Sequence, residues 1–314
     1  MLIDCEVWSF YFVIFQSSKD WFLKLAASTA NNEVQRLDSC LKVLLGLWLC
    51  ERSTKSGEIY PALHTFMEYV QHRLYLEDDK GNFDPCKYDS KLLLICYNLL
   101  SSFSYRPYGI ERFAERLAIA LSEFSPIPSA YSGEAMLLNP SYPLVRPSAQ
   151  RLEAEAVGGS GQQLLRCSRE ELLSACNAIT RATLFGQQPL ETEAYVLRFI
   201  SLTLPILMLE SLRQYDLEMG ALLLRTIRHA CLPMTEEVGM AIDFLKNQQQ
   251  LDGRFGYFSY EVATMVRSSD GQSIDPAYDL YVPITLSCIW SLAELTLCEF
   301  NLFNEVVRQN RKSD

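Results

Sequence analysis

The sequence predicts an all-α protein of about ten to twelve helices in a single domain. Three observations support this prediction: apolar residues recur at helical spacing along most of the chain, strand-like alternation is nearly absent, and one helix-and-turn unit in the C-terminal half is unusually well marked. A chain of 314 residues is also long enough to bury a large core.

Each predicted helix has apolar residues three and four positions apart, which place one apolar face toward a core. Pro205 lies inside one such segment, where its ring and its missing N–H would kink or end the helix. The stretch 125–163 is instead rich in proline and glycine, which predicts a long crossing loop. In chain order the helical segments lie near residues 5–16, 18–30, 32–51, 60–76, 88–103, 109–124, 168–186, 191–213, 216–231, 235–250 and 281–308.

The best-marked unit runs from about residue 238 to residue 255. Its helix carries apolar residues at helical spacing, and a run of glutamines closes it. Asp252 and Gly253 then form a turn dipeptide, because glycine accepts a positive φ freely. Phe255 follows, and we expect it to return and pack on the helix.

This unit resembles the QW repeat of squalene cyclases and of related terpenoid cyclases and prenyltransferases. That repeat has a small residue, an aromatic residue, a glutamine, a glycine and a second aromatic residue, which correspond here to Ala241, Phe244, Gln248, Gly253 and Phe255. Phe255 stands where the family usually has tryptophan. The resemblance implies an α/α toroid, a closed ring of helices around a central cavity.

The same region also resembles a bacterial family of unknown function. That family carries a Gln-Gln-x-x-Asp-Gly-x-Phe-Gly pattern (QQxxDGxFG), which stands here at residues 248–256. A helix with the pattern Thr-x-x-Cys-x-Trp-x-Leu follows, represented here by Thr285, Cys288, Trp290 and Leu292.

A degenerate internal repeat supports one domain over residues 1–314. Asp84-Pro85 followed by Tyr88-Asp89 in the first half matches Asp275-Pro276 followed by Tyr278-Asp279 in the second, and each pair of dipeptides precedes a helix. The loop 125–163 would then cross between two half-repeats. The alternative is a flexible linker between two smaller domains.

Composition excludes several classes of function. The net charge of -10 leaves no basic surface for a phosphate backbone, so we expect no nucleic-acid partner. The apolar runs at residues 7–15 and 199–209 are shorter than the roughly 20 residues of a membrane span, and the first lacks the basic region of a signal peptide. Most of the 10 cysteines lie in apolar helical patterns, which is typical of reduced, buried thiols. We therefore expect a cytoplasmic protein without stable membrane insertion.

The densest group of polar and aromatic residues lies between residues 252 and 290 and forms the predicted site. A carboxylate there could serve as a general acid or base if burial raised its pKa, and a tyrosine could orient the substrate or stabilise a cation. The competing interpretation is that the aspartates form a turn and cap a helix, while the aromatic residues fill the core. The catalytic candidates are Asp275, Asp279 and Asp252, and the substrate-binding candidates are Tyr257, Phe255, Tyr278, Tyr281 and Trp290.

The motifs that the resembled families use for initiation and for metal binding are missing. The chain has no Asp-x-Asp-Asp motif of proton-initiated cyclases and no recognisable cysteine-histidine zinc motif of the toroidal prenyltransferases and lanthionine cyclases. We therefore predict no metal and no cofactor. A zinc site assembled from distant residues such as His229, Cys231 and Asp275 remains an alternative, because three protein ligands suffice for a catalytic zinc.

Three functions remain open from the sequence, and whether the protein is an enzyme is undecided. The resemblance implies first a bacterial specialised-metabolism protein that binds an elongated apolar substrate, isoprenoid-like or peptidic, and carries out a non-redox cyclase or lyase step. The second is a non-catalytic scaffold that binds a peptide or protein, or forms a homodimer. The third is a glycoside-processing barrel, in which Asp252 and Asp279 would face each other about 5 to 10 Å apart.

Overall fold

The computed structural model describes residues 5–30, 37–55, 57–81, 83–124, 135, 137–138, 164–259, 261 and 280–296. These residues form no β-strand, and an isolated bridge pairs Gln249 with Phe255. The prediction of an all-α protein is therefore confirmed. The helices are α1 (Cys5–Ala30), α2 (Leu37–Thr54), α3 (Tyr60–Asp79), α4 (Ser90–Ser102), α5 (Ile110–Ser122), α6 (Arg169–Ala182), α7 (Ala194–Arg213), α8 (Leu217–His229), α9 (Glu236–Asn247) and α10 (Val282–Thr296), with a 3₁₀ turn at Pro85–Lys87.

One predicted break between helices is wrong. Residues 5–16 and 18–30 belong to one continuous helix, α1, because Ser17 and Ser18 interrupt the apolar pattern without breaking the backbone and Ser18 finds a hydrogen-bond partner elsewhere in the fold. The predicted segment 191–213 is observed as helix α7, which passes through Pro205 and continues to Arg213. Burial of Pro205 among apolar side chains supports this continuation. Most of the predicted crossing loop 125–163, and the last residues of the segment 281–308, lie outside the described residues.

The helices pack around a central row formed by α2, α10 and α8 in that order. Helix α4 packs beside α2, and α6 packs beside α8. The remaining helices lie against these five: α1 and α3 contact α2, α5 contacts α4, and α7 and α9 contact α8. One contiguous cluster of buried apolar side chains extends from α1 to α10.

The glutamine-glycine-aromatic turn after α9 joins distant parts of the chain. The Gln249 side-chain amide donates to the Ile14 carbonyl at 2.8 Å, and the Ser18 hydroxyl donates to the Gly253 carbonyl at 2.8 Å. Phe255 is fully buried, and its N–H donates to the Thr285 hydroxyl at 3.0 Å. The turn therefore connects α1 with α9 and α10.

Helix α7 is the one helix in the described ranges that is long and apolar enough to cross a membrane. Its mean hydropathy is 1.5, and 39% of the span is buried inside the protein. One such helix is weak evidence for a membrane span, because the buried core helix of a soluble protein passes the same test. The outer face of α7 carries the exposed apolar side chains Tyr195, Leu202 and Ile206.

Candidate functional site

A pocket of about 410 Å³ lies between α2, α4, α6, α8 and α10. Each of these five helices contributes side chains to the lining, and none of the lining residues belongs to another of the described helices. The lining is half apolar and half polar. Leu92, Leu222 and Leu286 are among its apolar members, and Asn177 and Ser287 are among its polar ones.

The exposed end of the lining, which we call the mouth, lies at the first turns of α6 and α8. Arg169 and Glu218, in the first turns of α6 and α8, are 53% and 51% exposed. At the opposite end of the lining, His229 and Phe185 are each only 3% exposed. The side chains that line the pocket therefore range from solvent-exposed charges at the mouth to buried groups at the floor.

A buried histidine-glutamate pair lies at this floor. His229 is the last residue of α8, and Glu294 lies near the end of α10, which a hydrogen bond from the Ser291 hydroxyl to the Ala221 carbonyl joins to α8. The His229 Nε2 and the Glu294 carboxylate are 2.7 Å apart, and their side chains are 3% and 1% exposed. The indole N–H of Trp290 donates to the other carboxylate oxygen at 2.8 Å.

These contacts determine the charge state of Glu294. Burial opposes its ionisation and raises its pKa, but the charge and hydrogen bond of His229, helped by Arg225 and the Trp290 indole, outweigh that effect and hold the pKa below the ordinary value. Glu294 is therefore a carboxylate that only accepts hydrogen bonds, so the proton between the two residues is on His229 Nε2. The second ring nitrogen, Nδ1, is buried and has no hydrogen-bond partner within the described part of the chain.

Arg225 lies one helical turn before His229, on the same face of α8. Its guanidinium carbon stands 3.9 Å from the centre of the Trp290 ring, in a cation–π contact. Burial lowers the pKa of Arg225, an effect that the nearby Glu294 carboxylate opposes. Arg225, Trp290, Glu294 and His229 thus form one connected group, which we call the α8–α10 cluster.

The other charged side chains of the lining mostly have partners. Arg169 contacts Asp216 at 2.7 Å and Glu218 at 3.2 Å, and Lys42 contacts Asp38 at 2.8 Å. Asp89 caps α4 by accepting from the N–H groups of the second and third residues that follow it. The negative charges at the mouth are therefore engaged in ion pairs or in capping.

Among the predicted site residues that the structure describes, Trp290 lines this pocket. Asp252 accepts from the Arg254 N–H at 3.3 Å and pairs with its guanidinium at 3.1 Å, which are the contacts of a turn residue. Phe255 belongs to the core, and Tyr257 is 59% exposed. Tyr281 is buried beneath the Arg254 guanidinium, and its hydroxyl accepts from the Phe258 N–H.

The predicted residues Asp275, Asp279 and Tyr278 lie outside the described residues. The zinc alternative combined Asp275 with His229 and Cys231, and the structure instead pairs His229 with Glu294, while Cys231 is exposed. Within the described ranges, no three histidine, cysteine, aspartate or glutamate side chains are grouped so that they could hold a metal ion.

Of the α8–α10 cluster, sequence reasoning identified Trp290 as a substrate-binding candidate and His229 as an alternative zinc ligand, and it missed Arg225 and Glu294. Two signals were present: Arg225 and His229 are four residues apart and so share one face of their helix, and Glu294 interrupts the apolar segment from Ile289 to Leu295. Charged residues in such segments are buried only when they find partners. The partner of each residue became visible only when α8 and α10 were placed side by side.

Comparisons with known proteins identified no similar protein. No protein-family model matches the chain, and no curated protein and no solved structure matches it significantly.

Proposed function

We propose that the chain is an α/α toroid whose central cavity is the pocket described above. The packing of the described helices carries this proposal: α2, α4, α6, α8 and α10 line the pocket, and each of the other described helices lies against at least one of these five. An inner ring around a cavity, with an outer ring packed against it, would produce this pattern. The QW-like turn of residues 248–255, which joins α1 to α9 and α10, would close the ring.

We further propose that the pocket binds a small amphipathic molecule or a peptide segment. Its volume of about 410 Å³ lies within the usual range of small-molecule sites, roughly 300 to 1,000 Å³. Leucine side chains from α4, α8 and α10 would hold an apolar part of the ligand, and Arg225 and the polar side chains would orient the rest. This cavity is more polar than the one that the sequence implied.

The chemistry that this geometry supports best is non-redox proton transfer by His229, in a cyclase or lyase step. In the neutral form of the ring, Glu294 keeps the single proton on Nε2, so Nδ1 is the basic nitrogen; the imidazolium whose charge lowers the pKa of Glu294 is the protonated form of the same ring. When Nδ1 takes a proton from a ligand, the carboxylate stabilises the imidazolium that forms, as an acidic partner does in a catalytic triad. The single observation behind this proposal is a buried, carboxylate-bound histidine whose other nitrogen has no partner among the described residues and whose side chain lines a pocket.

Asp275 and Asp279, the acid–base candidates from the sequence, stay predictions in addition to the proposal for His229. Asp89, the counterpart of Asp279 in the first half-repeat, lines the mouth of the pocket. This position supports the prediction of acidic residues near the cavity. The cytoplasmic location also stays a proposal.

The experiment compares the wild-type protein with His229→Gln and with His72→Gln in a fractionated extract of small molecules, followed by mass spectrometry. His72 is exposed on α3 and serves as the matched control. We expect the wild type and His72→Gln to convert one compound into a product of equal mass or into two fragments of the same total mass, whereas His229→Gln loses this conversion. Full conversion by His229→Gln would show that this histidine is not the acid–base group.

A non-catalytic role in binding a peptide or protein is the second candidate. The exposed row of Tyr195, Leu202 and Ile206 on α7 favours it, because such a row is a common feature of partner surfaces. Absence of conversion by the wild-type protein across the extract would favour this role over the catalytic one.

A further inference from the structure

We infer that the ligand of this pocket carries a carboxylate, and that the carboxylate binds the guanidinium of Arg225. This inference rests on the proposed function, because it takes the pocket between α2, α4, α6, α8 and α10 to be the functional site. It goes beyond that function by specifying the charged group of the ligand and the residue that recognises it.

The guanidinium of Arg225 is available for a ligand. In the part of the chain that the structure describes, no carboxylate lies within ion-pair distance of it, and its close contact is the Trp290 ring. This differs from Arg169 and Lys42 in the same lining, each of which has a carboxylate partner. A half-buried guanidinium without an ion pair is rare, because arginine is normally buried together with a counter-charge.

The Trp290 ring also orients this guanidinium. The guanidinium carbon lies 3.9 Å from the centre of that ring, so the ring occupies one side of the group. The N–H groups that point away from the ring are left for a carboxylate, which can accept two of them in parallel. Trp290 is itself held by its indole N–H bond to Glu294. The arginine is therefore positioned before the ligand arrives, which reduces the entropy lost on binding.

The charges of the lining favour a singly charged group. Among the positively charged lining residues, Arg225 and Lys91 form no ion pair with a described residue. Asp89 and Glu218 place negative charge at the mouth. A diphosphate would bring several negative charges close to these carboxylates and to Glu294. A carboxylate matches the one guanidinium that is oriented for it.

The position of Arg225 also relates the carboxylate to the chemistry. Arg225 and His229 are neighbours on one face of α8, one turn apart. A carboxylate bound at Arg225 would bring the carbon atoms next to it toward His229, while the apolar part of the ligand contacts Leu222 and Leu286.

The test measures direct binding of octanoate by isothermal titration calorimetry, with octanol, octylammonium and octyl phosphate as comparison probes. Wild-type protein should bind octanoate more tightly than the other three. Arg225→Gln should weaken octanoate binding about ten- to a hundredfold, the usual loss for a hydrogen-bonded charge pair. Arg228→Gln, three residues further along α8 and outside the pocket lining, should bind like the wild type.

Arg225→Lys is the second variant, because it keeps the charge and most of the packing even if Arg225→Gln folds poorly. It should fold, and it should bind octanoate more weakly than the wild type, since lysine lacks the planar pair of donors. Three results would overturn the inference: no octanoate binding by the wild type, equal binding by both Arg225 variants and the wild type, or tighter binding of octyl phosphate than of octanoate.

Binding and conversion can fail separately. His229→Gln should still bind octanoate, because the carboxylate contacts Arg225, although it loses the conversion described above. If His229 is required for conversion but Arg225→Gln binds octanoate normally, the proposed chemistry stands and the carboxylate assignment is wrong. If octanoate binding depends on Arg225 but His229→Gln converts normally, the carboxylate assignment stands and the catalytic proposal is wrong.

Discussion

Replacing Gly253 with alanine should destabilise the protein by about 3 to 4 kcal/mol, because two separate costs combine at this position. The first is the backbone: the φ of Gly253 is 98°, a conformation that costs an L-residue about 1 to 2 kcal/mol. The second is space: an added Cβ would stand 1.9 Å from the carbonyl oxygen of Ser17. Helix α1 must then move away from the turn.

That movement would break the hydrogen bonds between α1 and the turn. The Ser18 hydroxyl would lose the Gly253 carbonyl, and the Gln249 amide would lose the Ile14 carbonyl. Each such bond contributes about 1 kcal/mol of net stability, so these two losses add about 2 kcal/mol to the backbone cost. The expected total follows from this addition.

Two other glycines separate the costs when unfolding is followed in urea. Gly81 also has a positive φ, of 67°, but nothing lies within 4 Å of its added Cβ, so Gly81→Ala should show the backbone cost alone. Gly239 lies in α9 with open space around it, and Gly239→Ala should stabilise the protein by up to about 1 kcal/mol. If Gly253→Ala costs no more than Gly81→Ala, α1 does not pack against this turn, and the reasoning is refuted.

Two further predictions concern ionisation. Because the folded-state pKa of Glu294 lies below its ordinary value of 4.5, its carboxylate contributes full stability above that pH, and the contribution is lost as the pH falls through the folded-state value. Glu294→Gln should therefore lower the free energy of unfolding by about 3 kcal/mol at neutral pH. It should also remove part of the stability that the wild type loses on acidification, as measured by urea unfolding between neutral and acidic pH. An unchanged acid dependence would contradict this. For the thiols, burial raises the pKa of Cys40 and Cys176 to about 12 and also raises that of Cys50, Cys96 and Cys288. A thiol-specific reagent at neutral pH should label the exposed Cys86 and Cys231 in the folded protein and these five only after unfolding, and rapid labelling of any of the five would contradict their burial.

Much of the helical structure followed from the sequence, because a buried helix face repeats its apolar residues at a fixed spacing. Helix boundaries followed less well where a local signal competes with packing. The two serines near residue 17 suggested a break in α1, yet a hydroxyl can remain in a helix when a partner is within reach. Pro205 predicts a kink or an end by itself, yet α7 continues through it among buried side chains, over nearly the whole predicted segment 191–213.

The candidate site was harder to predict, because its residues are distant in sequence. Trp290 was identified as cavity lining from its pattern, and it does line the pocket. The pairing of His229 with Glu294 spans 65 residues, and no periodicity links the two positions. The polar and aromatic residues around Asp252 are close together in the sequence and therefore predicted a site there. The described contacts of Asp252 are instead those of a turn residue.

The sequence by itself determined the helical class, most helix positions and the turn at Gly253, since these depend on residues close together in the chain. Only the tertiary structure decided which charged side chains share the pocket. Burial of Arg225, His229 and Glu294 is tolerable only because α8 and α10 place these groups against one another and against Trp290. That arrangement depends on how the helices pack, and it is the arrangement on which the proposed chemistry depends.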